Sequence, residues 1–175
     1  MIQYALMNYY PKRYLRKANF DKLMESNFVW DFKDGKKLAS KKAANMVAQT
    51  LVANKMKGVL FLCVPASCQR TYVRRCKEFS SMVCEKCGAT DGFGYVNVIG
   101  KRTKLHNSYL KASFQEENAS YHINEQAIRG KKIILFDDVV TTGKTANKFK
   151  EELENLGGKV VLEIFLAKTK NYRYS

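Results

Sequence analysis

Apolar residues in this chain fall into short continuous runs separated by longer stretches with a helical stripe. Val59-Leu-Phe-Leu-Cys-Val64, Ile133-Ile-Leu-Phe136 and Lys159-Val-Val-Leu-Glu-Ile-Phe-Leu-Ala167 have strand length and read as strands buried on both faces. Between them, Lys36 to Lys55 places Ala39, Ala43, Met46, Val47, Thr50 and Leu51 on one helical face, and Gly58 stops the pattern. Gln69 to Cys87 does the same with Tyr72, Cys76, Phe79, Val83 and Cys87, and Gly88 is placed to end that helix. Ala146 to Leu156 carries Ala146, Phe149, Leu153 and Leu156. Strands alternating with helices predict an α/β fold, an open and mainly parallel sheet flanked by helices. Tyr95–Ile99 and Tyr121–Asn124 read as further short strands. Residues 1–35 show no clean period; Ile2–Leu6 is a short strand at most, and Pro11 breaks what begins there.

A length of 175 residues with no repeat or linker predicts a single domain over 1–175. No run reaches membrane-span length, and the N-terminus lacks the basic start and cleavage site of a signal peptide, so a cytoplasmic protein without membrane contact is expected. Five cysteines are an odd number, which fits reduced thiols better than a disulfide framework. Lys and Arg total 31 against 16 Asp and Glu, a formal charge of +15. That excess favours a polyanionic small molecule, nucleic acid or an anionic surface without choosing among them. Tyr9, Tyr10, Tyr14 and Trp30 lie among basic residues. They read as aromatics covering one edge of the core in preference to an RNA-stacking face.

The chemistry concentrates in Ile133 to Thr145. A buried strand ends in Asp137-Asp138, and Thr141-Thr142-Gly143-Lys144-Thr145 leads into the amphipathic helix. Ligands of open α/β sheets bind at the carboxyl ends of the strands, and a helix's first turn offers free N–H groups to a phosphate. Two adjacent carboxylates repel phosphate, so they serve hydroxyls or a cation. A sugar phosphate supplies both kinds of group. A Walker A loop is excluded, because the glycine it needs five residues before Gly143 is Asp138.

These thirteen residues resemble the phosphoribosyl pyrophosphate (PRPP) signature of the type I phosphoribosyltransferases throughout. The resemblance implies that Asp137 and Asp138 hold the ribose hydroxyls and that Thr141, Thr142, Gly143, Lys144 and Thr145 cradle the 5′-phosphate. It implies that the loop after Val64, with Pro65, Ala66, Ser67, Cys68 and then Arg70, meets the pyrophosphate, commonly through an unusual peptide geometry. Arg74 and Arg75, beside Lys77, would compensate ligand charge. Lys101, Arg102, Lys104 and His106 are candidates for a lid that closes over the ribose, and residues 1–35 for a small hood or an edge segment. Val64-Pro-Ala-Ser67 followed by Arg74-Arg-Cys-Lys-Glu-Phe79 is similar to the ComF-like group within the family.

The activity so implied is Mg²⁺-dependent transfer of the phosphoribosyl group from PRPP to a nitrogen acceptor, releasing pyrophosphate. Mg²⁺ is expected on the ligand's oxygens, with no all-protein metal cage. Cys84-Glu-Lys-Cys87 is half of a zinc motif without a second half, and reads as core thiols. Enzymes of the family that use 6-oxopurines carry Asp where this chain has Thr141, which argues against such an acceptor. The alternatives are a non-catalytic PRPP-binding regulator and a nucleic-acid-binding or DNA-uptake-associated protein on the same fold. A homodimer is left open.

Overall fold

A computed structural model of the chain describes residues 2–17, 19–99 and 120–170. Five strands form one sheet in the order β1 (Ile2–Tyr9), β7 (Lys159–Thr169), β6 (Lys132–Val140), β2 (Leu60–Cys63) and β3 (Thr90–Asp91), each parallel to its neighbour. A separate antiparallel pair is made by β4 (Val96–Ile99) and β5 (Ser120–Ile123). The helices are α1 (Phe20–Lys33), α2 (Lys37–Ala53), α3 (Gln69–Cys87), the single turn α4 (Glu125–Ile128) and α5 (Lys144–Asn155). The first three pack against one another, whereas α5 packs on β6 and β7. This is the open parallel α/β architecture that the alternating pattern predicts. Among the described residues no helix is long and apolar enough to cross a membrane.

Helix α3 spans the predicted residues, and all five of its stripe positions are buried. Helix α2 ends sooner than expected. Asn54 caps it, donating its side-chain amide to the Thr50 carbonyl at 2.7 Å, and Lys55 turns to a φ of 54°, so the chain leaves the helix before Gly58. Leu156 is the C-cap of α5 and not a member of its buried stripe. The N-terminal region departs most from expectation, because β1 runs on to Tyr9 and α1 had no periodic signal. The reason lies in Ser26, which with Val29 and Phe32 forms the buried side of α1. Its hydroxyl accepts from the Tyr10 N–H at 3.1 Å and donates to the Tyr10 carbonyl at 3.2 Å, so a polar residue is satisfied at a core position and the apolar stripe is interrupted.

The core is centred on four rings from four elements. Phe136 of β6 lies 4.6 Å from Phe79 of α3, 5.9 Å from Phe32 of α1 and 6.2 Å from Phe61 of β2, measured between centroids. Phe32 and Phe79 meet edge to face at 5.1 Å. Phe136 immediately precedes Asp137, so this cluster fixes the end of the strand that carries the acidic pair.

Candidate functional site

Side chains alternate across a strand, so Asp138 leaves β6 on the same face as Phe136, towards α1 and α3. There Arg75 donates from Nη1 to Asp138 Oδ2 at 2.6 Å, and Lys33 Nζ stands 3.4 Å from Oδ1. Arg75 also donates to the Lys33 carbonyl, from Nε at 3.3 Å and Nη2 at 3.2 Å. One guanidinium therefore ties the end of α1 to a carboxylate of the strand end. Asp137 faces the other way and accepts the Asp138 N–H at 2.8 Å. Burial, and next the charge of Asp138, push its carboxyl up to about 7. Asp137 thus becomes protonated as the pH falls below neutrality.

Gly143 opens α5 with a φ of 74°, a left-handed conformation suited to glycine, and no side chain caps the helix behind it. The first N–H groups of α5 are left to face the cleft, where Lys144, Thr145 and Lys148 project. Opposite them stand Pro65, Ala66 and Ser67 from the loop after β2. Together these groups bound a cleft of about 880 Å³ at the carboxyl ends of the strands. Its rim includes Trp30, whose indole N–H donates to the Tyr9 hydroxyl at 3.1 Å while Lys12 Nζ sits 5.0 Å from the ring centroid. The N-terminal aromatics Tyr9 and Trp30 are half-buried at the edge of this cleft, with β1 as the sheet's edge strand.

Not every expected residue joins the cleft. Thr141 and Thr142 are exposed and outside its lining, and the Thr141 hydroxyl is held 2.7 Å from that of Thr169 on β7. Cys68 starts α3 and Arg70 is exposed, and neither lines the cleft. The peptide bonds among the described residues are trans, including those of the loop after β2. Arg74 and Arg75 do line the cleft, but Arg75 compensates Asp138. Lys101, Arg102, Lys104 and His106 lie outside the described residues, as does the Tyr14 side chain. Cys84 and Cys87 are buried on the core face of α3, and burial, followed by the Asp91 charge, pushes the Cys84 thiol up to about 12.

Trp30, Asp31, Lys33, Asp34, Tyr121 and Lys148 were missed as cleft residues. Only Lys148 carried a signal, as it lies one turn beyond Lys144 on the same side of α5. Among the described residues no group of three or more His, Cys, Asp or Glu side chains stands where it could hold a metal ion. The paired carboxylates fit Mg²⁺ only as a partial shell completed by ligand oxygens and water.

Known proteins resemble the chain over most of its length. The phosphoribosyl transferase domain family matches residues 36–173. The competence protein ComFC of Streptococcus pneumoniae is 30% identical over 129 residues, 73% of this chain and 56% of that protein. An adenine phosphoribosyltransferase of Thermosipho melanesiensis is 32% identical over 130 residues, 74% of this chain and 69% of that protein. The solved purine phosphoribosyltransferase of Pyrococcus horikoshii overlaps 75% of this chain and 84% of its own, with 18% identity and a TM-score of 0.40. The chain thus spans a little over half of ComFC and about two thirds of the adenine enzyme. With a match across most of its length, the chain belongs to the phosphoribosyltransferase family, and its resemblance extends to the ComF-like group.

Proposed function

We propose that the cleft binds PRPP and that the protein transfers its phosphoribosyl group to a nitrogen acceptor. The observation that carries this reading is the meeting of the Asp137-Asp138 pair, the amino end of α5 and the Pro65–Ser67 loop around one cleft. The carboxylates accept hydrogen bonds from the ribose 2′ and 3′ hydroxyls, and Asp138 keeps lone pairs for this beside Arg75. The 5′-phosphate takes the N–H groups and dipole of α5 with Lys144 and Thr145, and the pyrophosphate lies along Pro65, Ala66 and Ser67. In the reaction the C1–O bond to pyrophosphate breaks and its electron pair leaves with that oxygen. The acceptor's nitrogen lone pair forms the new bond at C1, and the nitrogen gives up its proton. Orientation and exclusion of water therefore matter more here than a strong base. Mg²⁺, when bound, supplies charge neutralisation on the pyrophosphate; Asp137 and Asp138 are the residues that would face it.

A Thr at 141 and the likeness to an adenine enzyme favour an acceptor other than a 6-oxopurine, with adenine the first to try. A second reading, a PRPP-binding regulator without turnover, draws on the likeness to a competence protein. The two separate on pyrophosphate release from PRPP and Mg²⁺ across a panel of bases and amines. Release that depends on one acceptor is expected. PRPP binding without release for any acceptor would support the regulator.

A further inference from the structure

At the opposite end of the sheet, where β2 and β6 begin, lies a second depression of about 930 Å³. Its charged lining is Lys55, Lys57, Lys131 and Lys132, with no carboxylate among the described residues that border it. Two acids adjacent in sequence to its lining are otherwise engaged: Glu125 pairs with Arg129, and Asp91 accepts from the Ser80 hydroxyl at 2.6 Å and the Phe93 N–H at 3.0 Å. Among the described residues, none of the four lysines forms an ion pair.

The backbone holds the two lysine pairs at this place. The Gly58 N–H donates to the Gly88 carbonyl at 2.8 Å, tying the turn after α2 to the end of α3. The Lys131 carbonyl accepts the Lys159 N–H at 2.8 Å, tying the start of β6 to β7. Lys55 has a positive φ, an unfavourable conformation for a residue with a side chain. Lys57 lies along Gly88, where a Cβ would come within 3.2 Å of the Lys57 Cγ, and Gly88 itself has a φ of 73°. Four exposed lysines around one depression raise the local positive potential, which an anion would lower. Lysine binds phosphate as a point charge and needs no fork geometry for it.

We propose that this depression is a second anion site, distinct from the carboxyl-end cleft, for a ligand bearing several phosphate groups. Those phosphates belong either to a free ligand or to the backbone of a nucleic-acid strand. The probe is tripolyphosphate, titrated calorimetrically into the whole protein. The unaltered chain should show a binding event that Lys131→Gln with Lys132→Gln weakens about tenfold or more. Lys55→Gln with Lys57→Gln, on the other side of the depression, should do the same if the first pair disturbs folding. A matched control, Lys37→Gln with Lys41→Gln, removes the same charge from exposed positions elsewhere and should change the affinity less than about twofold. Equal losses in the control and the two lysine-pair variants, or no loss in either pair, would overturn the site. Displacement of tripolyphosphate by a short oligothymidylate would assign the phosphates to a nucleic-acid backbone, and failure to displace it to a free ligand.

Discussion

The two ends of the sheet offer opposite solutions to binding an anion. At the carboxyl end, six basic side chains are interleaved with four carboxylates, and the pair at the end of β6 is shielded by Arg75 and Lys33. At the amino end, four lysines gather without an acid among them. The amino end therefore has the larger local charge excess, although the carboxyl end is the one proposed to bind PRPP. Charge excess alone favours any phosphate. Carboxylates set among cations reject a bare polyphosphate in part and reward a ligand that brings hydroxyls with its phosphates.

The sharpest way to break this contrast is to disturb the ring cluster next to the acidic pair, through Phe136. Phe136→Ala should cost about 3–5 kcal/mol of stability in urea unfolding and weaken PRPP binding in the folded fraction. A loss below about 1 kcal/mol would show that the cluster does not hold the strand end. Asp137→Asn tests the acidic pair itself. An ordinary carboxyl of this kind titrates near 3.8, and this one is raised to about 7 in the folded protein. Between those values the unfolded chain loses a proton that the folded chain keeps, so the stability of the unaltered protein falls as pH rises through that window. The variant should be less affected, gaining about 2–4 kcal/mol on the unaltered protein between about pH 4 and about pH 8. An equal difference at both ends of that range would contradict the assignment. The smallest effect is expected from Arg75→Gln, which removes the 2.6 Å contact to Asp138 but leaves Lys33. It should cost about 1–2 kcal/mol and leave tripolyphosphate binding at the amino end unchanged, as read by unfolding and calorimetry.

Much of the carboxyl-end cleft was legible because its parts are contiguous. Ile133 to Thr145 contains strand, acids, anion loop and helix start in one stretch, and α3 announces itself through five core positions at helical spacing. What escaped notice is made by residues distant in sequence. Arg75 and Asp138 are separated by 63 positions, and nothing in the composition of α1 points Lys33 at the same carboxylate. Helix α1 was hidden because its buried side includes Ser26, and Trp30 enters the cleft only because that helix exists. The amino-end lysines look like two ordinary basic pairs until the parallel register of β2 and β6 brings their turns together.

The central claim is that the acidic pair, and not general positive charge, selects PRPP. Its most direct test is calorimetric binding of PRPP with Mg²⁺ to Asp137→Asn with Asp138→Asn, beside Lys131→Gln with Lys132→Gln. The account predicts a loss of about a hundredfold in the first and less than about twofold in the second. Unchanged affinity in the first variant, or a comparable loss in both, would contradict it.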